Sequence, residues 1–405
     1  MIADLAALLA PVTPERFFAE HHDKAPLHVR GEPGKFAQVL SWRGINRLLD
    51  MTHVWTGTSL KLVMDSQTVP PEAYCARTQG RDGAPVLQPE ARRVREWVAR
   101  GASIVMNDVD SLTPGLASVS EALEAAGLGK SQANVYISWR SHKAFRTHYD
   151  THDVWAVQVE GEKSWNIWEG RAEWPIPHPM FRGQKQEHHD AARGTLRGVV
   201  LMKPGDLLYL PRGWYHDALA EDAASVHVAY GVHAPLGMDL LNILMERALH
   251  DVEFRKPLPR QDGGAASRFA LTQRAGVLGS RLAELSRDPK VLEVLAGFVA
   301  GYRHARGGND LLAARGLAPP SQDAGAAPAF RVIAGGARPV RRGSDWVVRT
   351  AGGALALSAA EAEAAGWVLA RPDVTAEELS RAHPGVDAEA LVARLAGAGL
   401  LVPAA

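Results

Sequence analysis

The sequence predicts a mainly β protein with helical additions: an antiparallel barrel or sandwich, then a helical segment, then a winged-helix-like C-terminal domain. Three observations carry this expectation. Between residues 103 and 232 short runs rich in β-branched and aromatic residues follow one another, broken by Gly, Pro and Asp turns. From Gly237 apolar residues instead recur at helical spacing. Beyond residue 330, strand-like runs lead into helices that each open on their own N-terminal signal.

Taken in order, the first hundred residues read as mixed helix and loop. Ile45, Leu48 and Leu49 after Trp42 have helical spacing, as does VREWVAR at 94–100. The strand candidates are SIVMNDV (103–109), ANVYISW (133–139), VWAVQVEG (154–161) and KSWNIW (163–168). TLRGVVLM (195–202), DLLYLP (206–211) and SVHVAYGV (225–232) continue the series. LLNILMERAL and VLEVLAGFVAGYRHA mark the helical segment, and PPSQDAGAAPA at 319–329 has the composition of a linker. DWVVRT and ALALS open the last part as strands. Ser358 with Glu361 and Thr375 with Glu378 form capping boxes, Asp387 caps DAEALVARLA, and LLVP returns as a strand. The expected domains are 1–236 (barrel with N-terminal elaboration), 237–318 (helical) and 330–405 (winged-helix-like).

Composition narrows the function classes. A length of 405 residues suggests two or three domains, and 46% hydrophobic with 22% charged residues is globular. Lys+Arg and Asp+Glu both number 45, so no global field steers the chain to nucleic acid or an anionic membrane, and only a local basic patch is compatible. Direct nucleic-acid binding is therefore not expected. Cys75 is the only cysteine, which excludes an intrachain disulfide. The opening MIADLAALLAPV lacks a basic n-region, and no apolar run approaches the ~18 residues of a membrane helix. Reducing cytoplasm is the expected location.

The candidate chemistry lies in HYDTHDVWAVQVEGEK, starting at His148. In a strand, residues i and i+2 share a face, so His148 and Asp150 can offer an imidazole nitrogen and a carboxylate oxygen to one ion. The bare HxD pattern decides nothing, because His21-His22-Asp23 and His188-His189-Asp190 also contain it. The first copy sits in a helical region and the second in the polar stretch FRGQKQEHHDAARG, read as a loop. Only His148 leads into an alternating strand, a Gly turn and a second strand. His216, in GDLLYLPRGWYH after the Pro211-Arg212-Gly213 bend, supplies a third ligand. Two histidines and one carboxylate leave open positions, the arrangement of non-haem Fe(II) oxygenases. From spacing alone, core histidines explain the pattern equally well.

The segment from Asn134 to Trp168, then GDLLYLPRGWYH and SVHVAYGVHAP, resembles the JmjC-type 2-oxoglutarate oxygenases. The likeness is strongest to the cupin-like ribosomal oxygenases of bacteria and their nucleolar relatives. It rests on N-x-Y at 134–136, HYDTHD at 148–153, QVEGEKSW at 158–165 and the GD…LPRG…H block. The resemblance implies a double-stranded β-helix (jelly-roll, cupin) core with Fe(II) held by His148, Asp150 and His216. It also implies 2-oxoglutarate as cosubstrate, converted with O₂ to succinate and CO₂ as a substrate C–H is hydroxylated.

In the same way, Lys163 falls where many members carry the cation that meets the far carboxylate of 2-oxoglutarate. Read from its residues alone, the lesser alternative is a solvated lysine in the turn EGEK. Asn134 and Tyr136 are candidate hydrogen-bond donors to the cosubstrate, and His227 is a candidate polar contact or a satisfied core histidine. His152 shares the parity of His148 and Asp150 and competes with them as a ligand, while Asp153 is expected to orient a ligand. Arg182 and Arg212 are the reserve cations.

The implied substrate is a protein or peptide side chain, such as one in a ribosomal protein. The stretch SWRSHKAFRT before the metal strand is bulkier and more cationic than the Pro/Gly-rich loop of many members. That departure favours a second reading, a tailoring hydroxylase of a natural-product peptide or small molecule. A third, a non-catalytic winged-helix DNA binder, is disfavoured by zero net charge and a last helix poor in Arg and Lys. The apolar stripe of LLNILMERAL (Leu240, Leu241, Leu244) predicts a homodimer.

Overall fold

The computed structural model describes every residue except 81–82, 140–144, 222–223, 307–328, 334–336, 343–344, 351–352 and 404–405. The expected linker at 319–329 lies outside the described residues apart from Ala329, as does the centre of the cationic stretch before the metal strand. The chain divides into two compact units, Met1–His304 and Ala305–Ala405.

In the first unit the N-terminal part holds helices α1 (Leu5–Leu9), α2 (Pro14–Glu20), α3 (Trp42–Leu49) and α4 (Ala91–Ala99). It also holds strands β1 (Leu27–Val29), β2 (Leu60–Met64), β3 (Gln67–Thr68), β4 (Cys75–Gln79) and β5 (Pro85–Pro89), so helix and loop alone do not describe it. These strands are short, and β1 and β2 exist because β11 and β6 pair with them, a tertiary effect that local pattern does not report.

The predicted series follows as β6 (Ser103–Met106), β7 (Lys130–Ser138), β8 (Asp153–Glu160), β9 (Lys163–Arg171), β10 (Leu196–Met202), β11 (Leu207–Leu210), β12 (Trp214–Ala220) and β13 (Ser225–His233). Helix α5 (Pro114–Ala125) precedes β7; Pro114 opens it and the Thr113 hydroxyl accepts from Leu116 N at 3.2 Å. Helices α6 (Pro179–Arg182) and α7 (Gln186–Ala192) interrupt the connection from β9 to β10. The His188 copy of the HxD pattern is therefore helical, not a loop, because QEHHDAA contains no breaker and closes its own turns.

The strands form an eight-stranded sheet, ordered β1-β11-β8-β13-β7-β6-β2-β3, and a three-stranded sheet, β10-β9-β12. Together they make the double-stranded β-helix. Val154, Ala156, Trp165, Ile167, Met202, Leu208, Leu210 and Trp214 form one apolar cluster from both sheets. Alternate residues on the other face of the large sheet, Trp155, Val157 and Tyr209 among them, join Phe17, Leu116, Val119 and Leu123 from the helices. Both faces of β8 are thus covered, which is why Val154 through Val159 is buried without interruption.

Helices α8 (Gly237–Ala248), α9 (Val252–Arg255), α10 (Ala265–Arg287) and α11 (Pro289–Ala300) complete this unit. The second unit contains β14 (Ala329–Val332), β15 (Pro339–Arg342), β16 (Asp345–Thr350), β17 (Gly353–Leu357), α12 (Ala359–Leu369), β18 (Asp373–Thr375), α13 (Ala376–Ala382), α14 (Ala388–Gly397) and β19 (Leu401–Pro403). Ser358 and Glu361 cap α12 reciprocally, Thr375 and Glu378 do so for α13, and Asp387 accepts from Ala390 N at 3.0 Å on α14. A strand meander, three capped helices and a returning strand give the winged-helix-like order read from the sequence.

Candidate metal centre

His148 and Asp150 lie just ahead of β8 rather than within it. The side-face parity survives nonetheless, because His148 forms an isolated antiparallel bridge with His216 on β12. His148 N donates to His216 O at 3.0 Å and His216 N returns the bond to His148 O at 2.9 Å. Gly213 N donates to Asp150 O at 2.9 Å, so a second backbone bond fixes the middle residue. Gly213 is obligatory there: its φ is +86°, and a Cβ would stand 2.2 Å from Ala172 O. Thr147, Tyr149 and Thr151 are buried behind the segment, whereas His148, Asp150 and His152 line a cavity on the other side.

The donor atoms of His148, Asp150 and His216 all lie within 4.8 Å of one another. His216 Nε2 is 3.5 Å and His148 Nε2 4.0 Å from Asp150 Oδ2. Each imidazole is tethered through its other nitrogen: His148 Nδ1 to Arg146 O at 2.8 Å, His216 Nδ1 to Trp214 O at 2.9 Å. A carbonyl only accepts, so Nδ1 carries the hydrogen and the Nε2 lone pairs turn toward the common point. Burial, helped by His148, pushes His216 down to about 4, which keeps it neutral and able to ligate. Burial alone would raise the Asp150 carboxyl, but His152, His148, His216 and Arg182 together hold it below its ordinary value. Two imidazoles and one carboxylate, preset in direction, fit a divalent transition metal with open positions.

A buried network stiffens the reverse side. Asp217 accepts from Thr147 Oγ1 at 2.7 Å, Asn166 Nδ2 at 2.9 Å and Trp168 Nε1 at 3.1 Å, and Arg193 donates to Thr147 Oγ1 at 3.1 Å. It joins residues adjacent to two of the three candidate ligands.

The cavity holds about 340 Å³ and includes Asn134, Tyr136, Lys163, Trp165 and His227 in its walls. Lys163 is only 4% exposed, which rules out a solvated turn residue. Its ammonium donates to Ser138 Oγ at 3.2 Å and lies 3.3 Å from His227 Nδ1, and burial pushes its pKa down to about 7. His227, driven well below its usual range by burial and by Lys163, stacks on Tyr136 at 4.8 Å with the rings 5° from parallel. Burial, with Asp150 adding to it, raises the Tyr136 phenol to about 12, so it remains a donor. Asn134 Oδ1 already accepts from Asp108 N at 3.1 Å. Arg182 donates to Thr151 Oγ1 at 3.3 Å and Arg212 stands 5.3 Å from the Trp174 ring, and neither lines this cavity.

The other candidates fall elsewhere. His22, Asp23 and Asp153 bring donor atoms within 4.8 Å as well. The Asp153 carboxylate is committed, however, accepting from Tyr209 OH at 3.0 Å and Arg212 N at 2.8 Å. It anchors the Pro211–Gly213 bend rather than orienting a ligand ring. Of the tryptophans, Trp155 is core, Trp165 lines the cavity, and Trp174 is 49% exposed between Arg171 and Arg212.

Residues 112–240, which contain the three candidate ligands and Lys163, match the family model for the JmjC domain. The chain is 28% identical over 268 residues to the bifunctional lysine-specific demethylase and histidyl-hydroxylase NO66 of Drosophila persimilis, covering 63% of this chain and 36% of that protein. It is 27% identical over 260 residues to ribosomal oxygenase 1 of Gallus gallus, covering 62% and 41%. The chain thus spans well under two thirds of either relative's own length. The structure of YcfD, a ribosomal oxygenase from Escherichia coli in complex with cobalt and succinic acid, superposes with a TM-score of 0.53 at 16% identity, covering 98% and 99% of the two chains. At that identity the likeness is one of fold.

Proposed function

We propose that the chain is an Fe(II)- and 2-oxoglutarate-dependent oxygenase that hydroxylates a side chain of a protein or peptide, a ribosomal protein being the substrate class suggested by its relatives' names. The observation that carries this is the convergence of His148, Asp150 and His216 on one point of a cavity that also holds the buried ammonium of Lys163. In this reading the three ligands hold iron on one side. When bound, iron with 2-oxoglutarate and O₂ supplies the oxidising chemistry, and the cosubstrate leaves as succinate and CO₂. Lys163 meets the far carboxylate of 2-oxoglutarate, Tyr136 donates its phenol proton, and Asn134 and His227 shape the polar wall.

The test is incubation of the full chain with Fe(II), 2-oxoglutarate and candidate ribosomal proteins or peptides, read by succinate formation and mass spectrometry. A one-oxygen gain coupled to succinate supports the reading, and loss of a methylene would redirect it to demethylation. Absence of iron-dependent succinate would sink it.

We further place the chain in reducing cytoplasm and infer a homodimer formed through the helical segment. Among the described residues no helix is long and apolar enough to cross a membrane. Helix α10 buries none of its residues, while Leu241, Met245 and Leu249 on or next to α8 and Phe269 and Val277 on α10 are exposed. Leu244 points inward at 3% exposure, so its loss would damage the monomer. The informative change is therefore Leu241→Glu with Met245→Glu. It is expected to halve the mass in sedimentation while leaving metal binding intact, and an unchanged mass removes the dimer assignment.

A further inference from the structure

The cavity wall contains a histidine that the ligand set does not use. His152 lines the same cavity as the triad, on the same side of the segment. Its Nδ1 lies 3.0 Å from the carbonyl oxygen of Asp153, which only accepts, so Nδ1 carries the ring hydrogen. In the neutral ring Nε2 is then an acceptor, and among the described residues it has no hydrogen-bond partner.

The ring is seated by construction. Gly231, in the middle of β13, pairs with Val154 on one side and Gln132 on the other. A Cβ there would lie 2.8 Å from His152 Cε1, 2.9 Å from Nδ1 and 3.1 Å from Nε2. Gly231 has an ordinary strand conformation, so the missing side chain serves space and not backbone freedom. The His233 ring closes on His152 edge-to-face at 4.9 Å. A glycine under the ring and an imidazole against it hold an unsatisfied acceptor at the cavity wall.

We propose that His152, seated on Gly231, is a positioning and specificity-determining residue that accepts a hydrogen bond from an N–H or O–H of the substrate side chain. It thereby selects polar donor side chains over aliphatic ones of the same shape. This rests on the oxygenase reading above and deepens it. An unpaired acceptor on a residue of the cavity wall penalises a substrate that cannot satisfy it, which is how polar sites discriminate isosteres. The geometry also sets His152 apart from the ligands, since it is absent from the convergent donor set.

The experiment uses the full chain loaded with Mn(II) and 2-oxoglutarate without oxygen, with N-acetylasparagine amide and the near-isosteric N-acetylleucine amide as probes. Paramagnetic relaxation of the probe side-chain protons reads binding close to the metal. The wild-type protein is expected to prefer the asparagine probe about tenfold, the effect of one hydrogen bond at a desolvated acceptor. His152→Phe should abolish the preference, and His152→Gln, which keeps an acceptor, should restore most of it. Gly231→Ala should act like His152→Phe by unseating the ring. Mn(II) affinity should fall only slightly in the His152 variants, by the influence of that ring on the Asp150 carboxylate, and not at all in Gly231→Ala, which shows an intact fold and metal site.

No preference in the wild type, or a preference that survives His152→Phe, overturns the proposal. A large loss of Mn(II) affinity in His152→Phe overturns it differently, by making His152 a ligand. Failure of the parent reading looks distinct: Asp150→Asn would then leave Mn(II) binding unaltered, and the proposal would fall with it.

Discussion

Alanine at His148, Asp150 or His216 is expected to abolish 2-oxoglutarate turnover and to weaken Fe(II) or Mn(II) binding by roughly a hundredfold or more, because a three-ligand site cannot spare a donor. The geometry distinguishes the three variants. His216 is buried and returns a backbone bond to His148, so its ring is held whether or not metal is present. His148 shares that backbone bridge and has its own Nδ1 tether to Arg146 O, but its side chain is partly exposed, so its loss should disturb the rest of the site least. Asp150→Asn separates charge from shape: the isosteric amide keeps the contour but removes the anion that balances the ion, and it should bind metal nearly as poorly as alanine. Metal titration followed by succinate assay checks all of these. Wild-type turnover in all three alanine variants would place the site elsewhere.

Much of this site was legible in the sequence, for a physical reason. Alternation along HYDTHDVWAVQV reports which side chains share a face, and that parity outlasts a wrong strand boundary: β8 begins at Asp153, yet His148 and Asp150 still face the cavity. What sets their register is the bridge to His216, a pairing between residues far apart in the chain that no local pattern encodes. The short strands β1 and β2, which pair with the distant β11 and β6, were missed for the same reason, and α7 because a polar helix on the surface has no apolar stripe. The capping boxes at Ser358 and Thr375 were readable because a cap is satisfied within four consecutive residues. The seat of His152 left one signal, a glycine interrupting the strand SVHVAYGVH, whose meaning appears only when the opposing ring is placed.

Lys163→Ala is the second large effect, and its pH dependence makes it diagnostic. The ammonium is buried and donates to Ser138 Oγ, and no described carboxylate stands within ion-pair distance. A bound 2-oxoglutarate would supply the missing counter-charge. Removing the lysine then leaves that carboxylate buried and unpaired, a cost of roughly 3–5 kcal/mol, or about two to four orders of magnitude in affinity. Metal binding should be nearly untouched, because Lys163 is outside the convergent donor set. Lys163→Arg should recover part of the loss, restoring charge with different reach. Burial lowers the free-protein pKa from 10.5 to about 7, so the side chain is charged below that pH and increasingly neutral above it. An anion that requires the charged form must drive proton uptake above that point. Wild-type affinity for 2-oxoglutarate should therefore be level below pH about 7 and fall by about tenfold per unit above it, with one proton taken up on binding. The decline should end where the complex itself begins to lose that proton. In Lys163→Ala the slope should vanish along with the affinity. Dissociation constants measured across pH with the metal site loaded test both statements. Alanine binding within about threefold of wild type, too small a change for a broken buried pair, would leave Lys163 a structural lysine satisfied by Ser138 and His227.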